Sequence, residues 1–120
     1  MTMTLQECYK KLEGNYEGVL SRMVSDKLVE KFMLKFLDDK SYELLISAVS
    51  ENNLEEAFRA SHTIKGVCQN LGFDRLFKSS NQFTEILRNG GDIDKGLLEK
   101  VKDDYNVTVD AIKKYQSERI

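Results

Sequence analysis

The sequence predicts an all-α protein, an antiparallel up-down four-helix bundle with short extra helices at its N-terminus. Three observations carry this reading. The 120 residues contain no proline, so the strongest helix breaker is missing. Apolar residues recur at spacings of three and four, the period of a helix face rather than the alternation of a strand. Turn-forming residues interrupt this pattern only briefly, and short connections favour antiparallel neighbours.

Taken in order, residues 4–12 and 15–23 read as two short helices separated by Gly14-Asn15. Ser25 and Asp26 can cap a helix reaching about residue 38, with Leu28, Phe32, Phe36 and Leu37 as its apolar stripe. Ser41 restarts a helix carrying Leu44, Leu45, Ala48 and Val49. Asn53 with Glu56 three residues later has capping-box spacing and opens a helix over about 54–71, which Gly72 closes. Asp74 caps the next helix, with Leu76, Phe77, Ser80, Phe83 and Leu87 inward before the Asn89-Gly90-Gly91 stop. A last helix spans about 94–118 on Leu97, Leu98, Val101, Tyr105, Val109 and Ile112. No repeat, low-complexity tract or linker divides the chain. Residues 1–120 are therefore expected to form a single domain, with 1–24 as covering helices and about 25–118 as the bundle.

Composition narrows the function classes. Hydrophobic residues are 41% and charged residues 32%, ordinary for a chain that folds around a core. The 18 basic and 20 acidic residues are well mixed, with no basic stripe for nucleic acid. No apolar run approaches the ~18–20 residues that span a bilayer, and "MTMTLQECYKKLEG" has no signal-like apolar core. A cytoplasmic protein with reduced thiols at Cys8 and Cys68 is expected. One histidine and no compact Cys/His cluster give no metal site. The pairs Asp38-Asp39, Glu55-Glu56 and Asp103-Asp104 read as solvated faces, and no glycine-framed serine suggests a hydrolase.

The informative stretch is "SHTIKGVCQNLG", residues 61–72, which holds the chain's one histidine. On helix 54–71, Leu54, Ala57, Ser61, Ile64, Cys68 and Leu71 fall in one apolar sector, and His62 lies about 130° from its middle. His62 is therefore expected on an exposed flank, with Glu55, Arg59, Lys65, Gly66 and Gln69 around it and Phe58 at the boundary. Lys65, one turn ahead, brings an ammonium near anything negative carried on the ring. Gly66 costs up to ~1 kcal/mol of helix propensity relative to alanine but leaves an unobstructed patch beside the imidazole.

This stretch closely resembles the signature of histidine-containing phosphotransfer (HPt) domains, with Ser61, His62, Thr63, Ile64, Lys65 and Gly66 followed by Asn70, Leu71 and Gly72. "FDRLFKSSNQFTEILR" resembles the family's next helix, and the likeness covers about residues 25–110. It implies a phosphorelay intermediate of two-component signalling. His62 would accept a phosphoryl group and pass it to or from an aspartate of a response-regulator receiver domain, with Lys65 stabilising its charge and Gly66 giving the partner access. Many members carry a Glu or Gln twenty-two residues after the histidine that orients the ring; this chain has Thr84 there. Arg88, one turn on, is placed to reach the phosphoryl group or the partner's acidic pocket.

The chain has no glycine-rich nucleotide box and no acidic Mg²⁺ cluster. It is thus expected to be a phosphocarrier rather than an enzyme with its own ATP site, taking Mg²⁺ from the partner receiver. The expected partners are receiver domains and a sensor histidine kinase, with no nucleic acid or membrane, and the chain reads as a standalone monomeric carrier. Phe58, Leu20 and Met23 are candidates for an apolar docking rim. The alternative from another class is a helical adaptor that does no phosphoryl chemistry.

Overall fold

The computed structural model describes residues 2–119, and among them it holds helices and no strand. The order is α1 (Leu5–Lys11), α2 (Tyr16–Met23), α3 (Asp26–Lys35, continued by a 3-10 turn at Phe36–Asp38), α4 (Ser41–Ser50), α5 (Leu54–Leu71), α6 (Asp74–Arg88) and α7 (Lys95–Glu118). Each lies within a residue or two of its predicted span, apart from the tightened end of α3.

Side-chain caps explain several of the starts. Thr4 and Glu7 form a full capping box on α1, both bonds at 3.1 Å. Asp94 accepts the Leu97 N–H at 2.9 Å to open α7. Asn53 accepts from the Glu56 N–H at 3.2 Å, but the Glu56 carboxylate turns to Arg59 at 2.9 Å, so only half of the expected box forms. Helix α4 starts at Ser41 as expected, with the Ser41 N–H donating to Asp39 at 2.8 Å. Two predicted caps differ. Ser25 holds the N-cap position of α3 without a side-chain bond. Phe73 is the N-cap of α6, and Asp74 is its first helical residue, an acid at the positive end of the helix.

Helices α4 to α7 make the bundle: α5 packs between α4 and α6, and α6 packs on α7. Tyr42 stacks on Tyr105 at 3.7 Å and 2° and so closes α4 onto α7. α5 is about 27 Å long at the usual rise. The few residues at 51–53 and 72–73 cannot carry the chain back along such a helix, so these neighbours run antiparallel. The core is filled by Leu45, Ala57, Ile64, Cys68, Leu76, Phe83, Leu98, Val101 and Ile112.

The N-terminal helices close one end of this bundle. The last carbonyls of any helix have no partner within it. Here the Tyr9 hydroxyl donates to the Leu71 carbonyl at 2.7 Å, and the Asn15 N–H donates to that of Gly72 at 2.7 Å. Arg22 donates to the carbonyls of Gln69 and Asn70 at 3.1 and 2.9 Å. The backbone at Gly14 passes so near that a Cβ there would stand 2.5 Å from the Gly72 oxygen. Gly72 itself takes φ +70°, as a helix-ending glycine should. Tyr16 donates to Asp26 and Tyr115 to Glu30, tying α2 and α7 to α3.

Four predicted core residues are more exposed than expected: Leu28, Phe32, Leu44 and Leu54. On α3 the expected Phe36 is buried, but the rest of the buried stripe is Val29 and Met33, each one position on from the expected Leu28 and Phe32. A peripheral helix buries only a narrow stripe, and with Leu28, Val29, Phe32 and Met33 adjacent, periodicity alone permits either phase. Cys8 and Cys68 are free and buried. Burial pushes the Cys8 thiol up to about 12 and raises that of Cys68, so neither is a nucleophile near neutral pH. No helix among the described residues is long and apolar enough to cross a membrane.

Candidate functional site

His62 sits mid-way along α5, exposed, on the side opposite the buried row Ala57, Ala60, Ile64, Cys68 and Leu71. One turn back, the Phe58 ring lies 5.7 Å from the imidazole, centroid to centroid, tilted by 53°. One turn forward, a Cβ built on Gly66 would meet nothing within 4 Å. The ring therefore has an aromatic neighbour on one side and open space on the other. Among the described residues no side chain hydrogen-bonds it.

Lys65 does not simply extend into water. Its side chain is 18% exposed and bends toward α6, where Nζ donates to Asn81 Oδ1 at 3.0 Å and Glu85 Oε1 at 3.4 Å. The same Glu85 oxygen accepts from Arg88 Nε at 3.2 Å. The Arg88 guanidinium lies 5.2 Å from the centre of the Phe58 ring, within cation–π range. Partial burial alone would raise the Glu85 carboxyl, but hydrogen bonds and charge from Arg88 and Lys65 outweigh it and hold the group below the ordinary carboxylate range. Two cations are thus fixed on the α6 side of the imidazole by one carboxylate.

Thr84 is not part of this cluster. It is fully buried, and its hydroxyl donates to the Ser80 carbonyl at 2.7 Å and bonds Ser61 Oγ at 2.9 Å. A threonine facing the core satisfies its hydroxyl locally and has no reach to a ring on the outer face of α5. The other accessory and docking candidates are spread out. Gln69 is exposed two turns beyond His62, with its backbone oxygen engaged by Arg22. Leu20 packs half-buried against the core. Met23 lines a groove of about 460 Å³ between α2, α3 and α5, together with Phe32, Val67 and Asn70.

Sequence reasoning missed Asn81 and Glu85. Residues 81, 85 and 88 are spaced i, i+4, i+7 and so share one face of α6, but spacing does not say that this face turns toward Lys65. Thr84, one residue from Glu85, lies about 100° around the helix from it.

An Hpt domain family model matches residues 34–111, well over half of the chain. The chain belongs to the Hpt domain family. Hpt domains are phosphocarrier modules of two-component signalling, not classical enzymes; they carry phosphoryl groups on histidine and generally interact with kinase and receiver domains. No curated protein and no solved structure matches the chain. The Hpt match takes in α4, α5 and α6 whole, most of α7, and the whole cluster around His62.

Proposed function

We propose that this Hpt chain is a phosphorelay intermediate whose acceptor is His62. The observation that carries the reading is the exposed imidazole with an open flank at Gly66 and a tethered cation at Lys65, both one turn ahead of it. A nucleophile that reacts with another protein's phosphoaspartate needs access and a nearby positive charge. In the transfer step the lone pair of the unprotonated ring nitrogen forms the N–P bond as the P–O bond to the receiver's aspartate breaks. The carboxylate leaves with that bond's electron pair, and the proton on the other ring nitrogen stays in place. The reverse step returns the group to the carboxylate. Lys65 attracts the phosphoryl oxygens, and the receiver contributes its own Mg²⁺ to offset their charge. The carrier works as a cytoplasmic monomer between a sensor histidine kinase and receiver domains, with Phe58, Leu20 and Met23 toward the docking rim.

Incubation with a ³²P-phosphorylated receiver domain tests this. The expected label on the chain is acid-labile and base-stable, as a phosphoramidate bond is and a serine ester is not. An acid-stable label, or none with any receiver of a complete set, would leave the protein as a helical adaptor.

A further inference from the structure

The anion at the centre of the cation cluster has no role in the transfer step as derived above. We infer that Glu85 is a positioning residue: it holds Lys65 and Arg88 beside His62 while the ring is free, and competes with the phosphoryl group for them once it arrives. The inference rests on His62 being the acceptor.

Glu85 Oε1 is the one atom that both cations share, at 3.4 Å from Lys65 Nζ and 3.2 Å from Arg88 Nε. Both cations belong to the surroundings of the imidazole. Lys65 follows His62 by one helical turn, and Arg88 covers the Phe58 ring that stands against it. Glu85 and Arg88 are about two-fifths exposed, so their ion pair contributes little to folding, and the less exposed Lys65 has the neutral Asn81 as its nearer partner; stability does not explain the carboxylate. Its effect is on charge. A phosphoryl group adds about 1.5–2 negative charges beside two cations that already serve one carboxylate. Asn81, a neutral acceptor 3.0 Å from Lys65, keeps the ammonium in place whichever anion it serves. Glu85 therefore makes phosphorylated His62 less comfortable than the two cations alone would, which favours handing the group on. Of the other charges on this flank, Arg59 pairs with Glu55 at 2.7 Å and Glu56 at 2.9 Å.

The test is the ionisation of the phosphoryl group itself, read by ³¹P NMR on full-length protein phosphorylated with phosphoramidate. In that reaction the ring nitrogen forms the N–P bond as the donor's P–N bond breaks, and ammonia leaves with the bonding pair. Removing the anion while keeping an acceptor of the same shape, Glu85→Gln, should lower the pH midpoint of the ³¹P resonance by a two- to tenfold change in acid dissociation, the size of one partly screened charge pair. Adding Lys65→Met should reverse most of that fall, and added salt should shrink it. A merely structural role would leave the midpoint where it is in the wild type. An unchanged or raised midpoint in Glu85→Gln overturns the inference alone. A wild-type chain that gains no resonance, or a His62→Gln chain that gains the same one, overturns the acceptor reading and this inference with it.

Discussion

A methyl group added at Gly66 would enter open space. Alanine there should stabilise the isolated protein by about 0.5–1 kcal/mol through helix propensity. Leucine should fold about as well, since its Cβ too meets nothing within 4 Å. Both should impair phosphotransfer, leucine more, because each fills the space a partner needs beside the ring. Melting curves and transfer rates with one receiver check the opposed signs. For Lys65 the expectations separate in a different way. Lys65→Ala should slow transfer by about a hundredfold, the lower end of the scale for losing one preorganised donor at a reacting centre. Its melting temperature should stay within a few degrees, since the carboxylate it gives up is 41% exposed and keeps Arg88 as a partner. A large drop in stability with unchanged transfer would assign the lysine to the fold. His62, Lys65 and Gly66 were legible in the sequence because they share a flank of one helix, where spacing alone decides the neighbourhood. Glu85 and Asn81 were not, because their contact with Lys65 crosses between helices and depends on the rotation of α6 about its axis.

Helix α5 depends on its surroundings, because its C-terminal carbonyls are served from outside. Tyr9 and Arg22 do this in different environments, so their removal should differ. Tyr9 is 1% exposed, and Tyr9→Phe strands the Leu71 carbonyl away from water, at a cost of about 1–3 kcal/mol. Arg22, Gln69 and Asn70 are exposed, so water replaces the guanidinium in Arg22→Ala and the cost should be a few tenths of a kcal/mol. Chemical denaturation of the two variants measures both. Equal losses would mean that burial does not set the value of these bonds. Helix boundaries were readable because the stops are local, namely glycine at 72, Asn89-Gly90 and the caps at Asn53 and Asp94. What was not readable is which side of α3 faces inward. Leu28 and Val29, and again Phe32 and Met33, are adjacent apolar pairs, and the packing of α2, α5 and α7 around the helix chooses between them.

Across the whole molecule, one buried carboxylate joins three parts of the chain. Asp104 on α7 accepts from Arg75 on α6 at 2.7 Å and Lys100 at 3.2 Å, while Arg75 also reaches Glu13 in the turn after α1. Desolvation alone would raise the Asp104 carboxyl, but Arg75, Ser79 and Lys100 beside it together hold it below its ordinary value. A group depressed in this way contributes stability that is fully present above its unfolded-state value, and loses it as the pH falls through the lower folded one. Asp104→Asn should therefore cost about 1–3 kcal/mol at neutral pH and flatten the acid side of the stability profile below about pH 4. An acid limb identical to that of the wild type would remove Asp104 from this role. The sequence pattern alone pairs Asp103 with Asp104 as solvated acids; the fold separates them, leaving Asp103 exposed and Asp104 buried. The claim on which the functional account depends is that the one histidine receives the phosphoryl group. The most direct measurement compares label from the same phosphorylated receiver on wild type and His62→Gln, with circular dichroism on both. The account predicts the full helical signal and melting temperature in the variant, because the site is exposed, together with no label at all. Label persisting on a folded His62→Gln protein would contradict it.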